Sequence, residues 1–220
     1  MTYLQICQRV HDIAGFQGQF TSVQATGYQA ILTTAVRDTY QDIQRYRKDW
    51  WFMQVNKDIS VDETKTRYEI SDLFGVGDIP FGDYQYINWY KTGTTRRTRL
   101  IEVPYHEFQF FSFTDNQSKE PRLWTQEPFG KALVISPVDT NYTLDLHYIR
   151  EIDDLSSNSQ EPIIPARFHQ ALVYGALIKL STYIGNPTLF DEYSMKYAEI
   201  MGQLMREENP AKHVIKRPIA

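Results

Sequence analysis

The chain has 220 residues, of which 42% are hydrophobic and 23% are charged, a balance that is ordinary for a folded soluble protein. Its formal net charge of -4 argues against a generally basic nucleic-acid binder. A single cysteine, Cys7, excludes an internal disulfide and a cysteine-based zinc site.

The first residues carry neither the basic region nor the apolar region of a signal peptide. The longest apolar stretch, 171–180, is interrupted by Lys179 and is too short to span a bilayer. The sequence therefore predicts a chain that folds in a reducing cytoplasm and does not insert into a membrane.

Two helical patterns occupy the first 50 residues. The first covers 2–14, and the second is a long apolar stripe that predicts one amphipathic helix over 28–50, with Thr26 as its N-cap. Trp50 and Trp51 are adjacent and cannot share a helix face. They are therefore predicted to mark the junction between this helix and a β region.

A β region follows, because the helical period gives way to short strand-like runs separated by Gly-, Pro- and Asp-containing turns. A short helix is predicted from Pro104 to Phe111, with proline at its first position. The predicted strands are Phe52–Val61, Thr66–Ser71, Tyr84–Lys91, Arg97–Val103, Leu123–Gln126, Ala132–Ser136 and Tyr142–Ile149.

The C-terminal part is again helical. A polar loop over 153–161 leads to an apolar helix at 166–184 and an amphipathic helix at 187–208, with a tight turn at Gly185 between the two helices. Residues 209–220 have no helical period and are predicted to form an extended tail.

This order of elements predicts an α+β fold. The helix at 166–184 is apolar almost all round, so it needs cover on several sides, and the N-terminal helices are the obvious cover. We predict a discontinuous helical bundle of 1–50 and 162–208 that includes the C-terminal helix hairpin, an inserted, mostly antiparallel β domain at 51–161, and an extended C-terminal arm at 209–220. The alternative is two sequential domains, with the C-terminal hairpin packed on a neighbouring subunit.

The sequence contains no nucleophile motif, phosphate-binding loop or metal-ligand spacing. We therefore predict no catalytic, cofactor-binding or metal-binding residues. The adjacent pair His106 and Glu107 is interpreted as a solvated helix face. The five histidines fall in different elements: His11, His106, His147, His169 and His213.

The densest basic cluster consists of Arg96, Arg97 and Arg99. On a strand, Arg97 and Arg99 would point to the same face and could clamp a phosphate or a carboxylate. Alternatively, the cluster protects an edge strand from wrong pairing by its charge. We favour the second interpretation.

In the tail, branched apolar residues alternate with basic ones. Terminal disorder is the default for a chain end, whereas a segment that orders on binding needs apolar area to bury. The composition favours the second interpretation.

Four stretches of the chain form a recognisable series. They are Tyr3–Val10; the helix end with Ile43, Arg47, Asp49, Trp50 and Phe52; Glu120–Trp124 with Ala132–Pro137 and Tyr142–Leu144; and Pro162–His169. In this order, which spans nearly the whole chain, they resemble the head-to-tail adaptor proteins (tail accessory or connector proteins) of tailed bacteriophages, particularly short-tailed ones. One departure is the run Asn-Gln-Ser-Lys-Glu at 116–120, where a glycine is expected.

The resemblance implies a structural virion protein in the neck, made in the host cytoplasm and forming a dodecameric ring between the portal protein and the tail or nozzle proteins. Genomic DNA would pass through the ring during ejection without sequence-specific binding, and neither a cofactor nor a membrane is implied. The helix-to-β junction would comprise Arg47, Asp49, Trp50 and Trp51. The portal-binding arm would comprise Lys212, His213, Val214, Ile215, Lys216, Arg217, Pro218 and Ile219.

Two functions from other classes stay open at this point. One is a peptidoglycan-cleaving hydrolase that uses two carboxylates. The other is a tail module whose aromatic β face binds carbohydrate or a host receptor.

Overall fold

A computed structural model describes residues 1–24, 26–47, 49–63, 65–69, 73, 81–91, 94, 96–114, 120–128 and 132–208. The chain divides into two compact units. The helical unit comprises Met1–Met53 and the chain from Ile152 on, and the β unit comprises Gln54–Glu151. The predicted α+β class is confirmed, whereas the predicted arm lies outside the described residues.

Most regular elements follow the sequence predictions, apart from the helix predicted over 28–50 and the strand predicted over 97–103, which are considered below. The α-helices among the described residues are α1 (Tyr3–Ile13), α2 (Tyr28–Tyr46), α3 (Tyr105–Thr114), α4 (His169–Ile184) and α5 (Pro187–Glu207). The strands are β1 (Gln54–Val61), β2 (Arg67–Glu69), β3 (Phe81–Lys91), β4 (Thr98–Arg99), β5 (Ile101–Glu102), β6 (Leu123–Gln126), β7 (Ala132–Ile135) and β8 (Tyr142–Arg150).

α4 lies at the centre of the helical unit and contacts α1, α2 and α5. Gly175 permits its close approach to two of them. A Cβ atom at this position would lie 2.3 Å from Cγ2 of Thr39 on α2 and 3.0 Å from Cε2 of Tyr197 on α5. A Cβ atom there would require Thr39, Tyr197 or the helices that carry them to shift.

The connection between α4 and α5 has the residues that its backbone requires. Gly185 is left-handed, with φ 65°, a conformation that costs glycine little. Asn186 then caps α5, because its side-chain oxygen accepts a hydrogen bond from the backbone N–H of Leu189 at 3.3 Å. Pro187 occupies the first turn of α5, where a missing N–H costs nothing.

The loop at 152–165 belongs to the helical unit and is tied to α1 by backbone hydrogen bonds. The N–H groups of Tyr3 and Leu4 donate to the carbonyl oxygens of Gln160 (2.8 Å) and Asn158 (3.2 Å). These N–H groups lie in the first turn of α1, where a helix offers them no acceptor of its own. The loop therefore supplies hydrogen-bond acceptors to the first backbone N–H groups of α1.

Side chains of α2 bind the same loop. The Gln44 amide accepts from the backbone N–H of Asp153 (2.8 Å) and donates to its carbonyl oxygen (3.1 Å). The Tyr40 hydroxyl donates to the Asp153 carboxylate at 3.1 Å. Arg37 forms two hydrogen bonds with Asp154, and this contact lowers the pKa of the Asp154 carboxyl.

Both ends of α2 differ from the sequence prediction. The helix ends at Tyr46, because Arg47 adopts an extended backbone with φ -145° and ψ 134°. The predicted helix over 28–50 was therefore too long. At its start, Gly27 with φ 62° occupies the cap position without a side-chain hydrogen bond, so the prediction of Thr26 as N-cap was wrong.

The β unit contains two four-stranded sheets, ordered β1-β8-β3-β4 and β2-β7-β6-β5. All their described pairings are antiparallel except that of β5 with β6. The fully buried side chains of its core include Ile87, Leu133, Leu144 and Leu146. In β8, the apolar side chains of Leu144, Leu146 and Tyr148 are buried, and Asp145 between them is buried as well.

The single strand predicted over 97–103 was wrong. The chain instead changes sheets at Leu100, which is buried and separates β4 from β5. The Leu100 N–H donates to the Ile87 carbonyl in one sheet, and the Ile101 N–H donates to the Arg122 carbonyl beside the other. The backbone N–H groups of two adjacent residues thus bond to partners at different sheets.

We expect Gly175→Ala to lower the free energy of unfolding by about 1–3 kcal/mol, because the added methyl overlaps Thr39 across a tight helix contact. Gly202→Ala is the matched control, since Gly202 is helical and a Cβ atom there meets only the end of Arg206 at 3.6 Å. That control should raise stability by up to about 1 kcal/mol through helix propensity. Urea unfolding followed by circular dichroism measures both, and equal effects would contradict the close-approach argument.

His169 predicts a pH dependence of stability. Its Nε2 lies 2.8 Å from the Ile164 carbonyl oxygen, and its Nδ1 lies 2.8 Å from the Met1 α-amine. Burial lowers the pKa of His169, so below its ordinary value of about 6.5 the unfolded chain binds a proton that the folded chain does not. The stabilisation is complete above that pH and is lost as pH falls through it. Compared with His169→Gln, the wild type should therefore lose more stability between neutral and acidic pH in urea unfolding. Parallel curves would refute this role.

Candidate assembly surfaces

The junction residues predicted from the sequence fall into a compact motif after α2. The Arg47 guanidinium donates two hydrogen bonds to the Asp49 carboxylate, each at 2.9 Å. These bonds hold the pKa of Asp49 below its ordinary value. The guanidinium also lies over the ring of Trp50, 5.7 Å from its centroid. The ion pair therefore covers the indole beneath it.

Trp50 and Trp51 have different environments. Trp50 is 0% exposed, and its indole N–H donates to the Ile43 carbonyl oxygen at 2.8 Å. This carbonyl lies in the last turn of α2, where helices leave acceptors unsatisfied, so Trp50 closes the helix. Trp51 opens a short 3-10 helix and is 40% exposed. Of the two tryptophans, Trp51 has a surface available to a partner.

The arm residues 212–219 lie outside the described residues, but the segment from which the arm departs is described. Arg167, just before α4, binds Glu207 (Nε to Oε2, 3.1 Å) and Glu208 (Nη2 to Oε1, 2.6 Å). Glu208 is itself buried. The end of α5 is therefore fixed to the start of α4. Sequence reasoning placed Arg167 in a family stretch but did not find this role.

The turn between α4 and α5 carries exposed hydrophobic side chains. Tyr183, Ile184 and Phe190 are all exposed. A groove of about 300 Å³ opens beside them, and Gly185, Pro187 and Phe190 are among its lining residues. Contiguous exposed apolar groups mark surfaces that meet a partner.

Arg97 binds a carboxylate of its own chain. Its Nη1 lies 2.7 Å from Oδ2 of Asp145, a side chain that is only 5% exposed. Nε2 of His147 lies 3.1 Å from the other carboxylate oxygen. A charge taken out of water needs an opposite charge, which the Arg97 guanidinium supplies. Arg97, one of the two arginines of the clamp hypothesis, therefore compensates a buried aspartate of its own chain.

Arg99 stacks on the same sheet. Its guanidinium carbon lies 5.3 Å from the Tyr86 ring centroid. His147 stacks on the same ring, with the centroids 4.1 Å apart. Arg97 lies over Tyr90 at 5.7 Å. These rings are engaged within the chain, whereas a carbohydrate-binding platform presents an open aromatic face.

The remaining candidates from the sequence are surface groups. Nε2 of His106 and Oε1 of Glu107 are 3.8 Å apart, with side chains 82% and 51% exposed, as a solvated face predicts.

Among the described residues, no group of three His, Cys, Asp or Glu side chains could hold a metal ion. The described helices include none with the length and hydropathy to span a membrane.

The family model described as SU10 adaptor protein matches residues 1–214. No curated protein matches the chain.

We expect Trp50→Phe to lower the free energy of unfolding by about 1–3 kcal/mol, because the Ile43 carbonyl loses its donor and the smaller ring leaves a cavity at a fully buried site. Trp51→Phe is the control and should change stability by less than about 0.5 kcal/mol. Thermal and urea unfolding measure both variants. If the two changes were equally costly, the buried indole of Trp50 would not be the stabilising member of the pair.

Proposed function

The chain belongs to the SU10 adaptor protein family, whose model covers residues 1–214, and we propose that it forms a ring between the portal protein and the tail of a phage particle. Membership identifies a phage structural adaptor located in the virion and associated with other head and tail proteins. It also implies a non-enzymatic role. The match over nearly the whole chain is the observation that carries this proposal.

The ring requires surfaces that a lone subunit leaves open. Tyr183 and Ile184 at the α4–α5 turn, together with Trp51 after α2, are exposed hydrophobic groups of this kind. A cyclic assembly of identical subunits uses two different, complementary patches on each copy. In this proposal, the exposed apolar groups of the helical unit serve contacts between copies or with the portal.

We assign the portal contact to the arm at 209–220. It combines apolar residues at 214, 215 and 219 with basic residues at 212, 216 and 217. The ion pairs of Arg167 with Glu207 and Glu208 support this assignment, because they fix the point from which the arm leaves. A segment attached to a fixed base can bind a partner and bury its apolar side chains there.

The DNA channel follows from the ring. A chain with net charge -4 favours passage of the genome without tight phosphate binding, since phosphate contacts supply most non-specific affinity. The β unit would face the tail or nozzle proteins.

Portal binding tests the function. The purified chain is mixed with the portal protein of the same phage and examined by sedimentation and electron microscopy. We expect a ring of chains bound to one end of the portal. A chain that stays monomeric in the presence of portal would contradict the adaptor ring.

Deleting 209–220 tests the arm in the same assay. We expect at least a tenfold loss of portal binding with unchanged thermal stability, because the deleted residues follow the end of α5. A control with 209–220 replaced by a Gly/Ser sequence of equal length separates loss of sequence from loss of length. Unimpaired binding by either variant would refute the arm assignment.

A further inference from the structure

The outward side of α5 presents a hydrophobic group between two acids. Met195 is 75% exposed, the highest value for a large hydrophobic side chain in the described part of the chain. Asp191 and Glu199 lie four residues before and after it, so the three side chains line up on one side of the helix. Neither acid has an ion-pair partner among the described residues, whereas the nearby Glu192 binds Lys196 at 2.6 Å. Asp191, Met195 and Glu199 form the acidic face.

The opposite charge lies on an edge of the β unit. Arg96 and Arg99 are exposed, and neither pairs with a carboxylate within the described ranges. Ile101, two residues beyond Arg99, is 63% exposed. Arg96, Arg99 and Ile101 form the basic edge.

This edge is held in place and contains a cavity. The Arg97–Asp145 ion pair binds it to the sheet, and stacking on Tyr86 orients Arg99. A groove of about 280 Å³ opens there, with one carboxylate on its rim. It is lined by Tyr86, Arg99, Leu100, Ile101, Glu102 and Trp124.

The two surfaces are opposite in charge. Asp191 and Glu199 are about 12 Å apart along a helix, and Arg96 precedes β4 whereas Arg99 lies in it. Arginine and carboxylate side chains form charge-assisted hydrogen bonds. Met195 lies midway between the acids, and its flexible thioether suits an irregular groove with an aromatic wall.

We propose that the acidic face of one copy binds the basic edge of the next copy. The inference rests on the proposed ring, because it joins two different patches of the same chain in the head-to-tail manner that a ring requires. A strip about two helical turns long is smaller than the roughly 800 Å² that each partner contributes to a standard stable interface. The contact is therefore weak between free copies and becomes persistent when a template gathers them.

Charge reversal tests the contact with the full-length chain on the portal protein. Asp191→Lys with Glu199→Lys makes both surfaces of a copy basic, and Arg96→Glu with Arg99→Glu makes both acidic. We expect each variant alone to lose ring assembly at least tenfold. An equal mixture of the two should restore it as an alternating ring, and so should one chain carrying all four changes.

Two controls accompany the reversals. Arg9→Glu with Asp38→Lys alters exposed charges outside both surfaces and should leave assembly unchanged. Thermal unfolding of every variant confirms that the fold is kept.

The outcomes separate the contact from the function it rests on. If the wild type fails to bind portal, the adaptor ring itself is refuted, and the contact with it. If the wild type assembles but the reversals have no effect, or losses are not restored by the mixture, only the contact is refuted. Assembly that stays normal while Arg96→Glu with Arg99→Glu abolishes binding of a short DNA duplex would assign the edge to DNA instead.

Crosslinking supplies independent evidence. In a Cys7→Ser background, Met195→Cys combined with Ile101→Cys should give disulfide-linked chains of increasing length after mild oxidation on the portal. The matched control combines Met195→Cys with Tyr46→Cys, since Tyr46 is 61% exposed and belongs to neither surface. Equal ladders from both pairs would overturn the proposed contact.

Discussion

The helical unit depends on the close approach of α2 and α5 to α4 at Gly175. Thr39 and Tyr197 reach the helix backbone where a Cβ atom would otherwise stand, so the helices meet without the spacing that larger side chains impose. Such an approach buries backbone as well as side chains, and van der Waals contact falls off steeply with distance. The fully buried Val36, Ile43 and Leu172 pack in the interior that this spacing permits.

The 152–165 loop completes the same unit by polar means. It supplies acceptors to the first turn of α1 and receives the side chains of Gln44, Tyr40 and Arg37 from α2. Buried polar groups cost free energy unless they are paired, so a loop that pairs with two helices at once fixes their relation. Assembly on a portal would thus begin from a preorganised helical unit.

Periodicity was enough to place most elements, since α1 and α5 each carry an apolar stripe and α4 is a long apolar run bounded by turn residues. It could not place the end of α2. Trp50 continues the apolar stripe, yet its indole bonds back to Ile43, a tertiary contact that no period encodes. Likewise, Arg97–Val103 has strand-like composition, and only the pairing of Leu100 and Ile101 with different sheets divides it. The candidate surfaces were harder still, because exposure of Met195 and Ile101 depends on which neighbours cover them.

The two crossings between the units lie close together along the sheet. Gln54, the first residue of β1, pairs with Ile149 near the end of β8, and paired residues on antiparallel strands are about 5 Å apart. The chain thus enters and leaves the β unit through two adjacent strands, β1 and β8. An inserted unit whose two ends lie this close together can be exchanged for another, or shortened to a turn, during evolution while the helical unit keeps its fold. A virus adapting its neck to a new tail could therefore alter one half of this protein independently of the other.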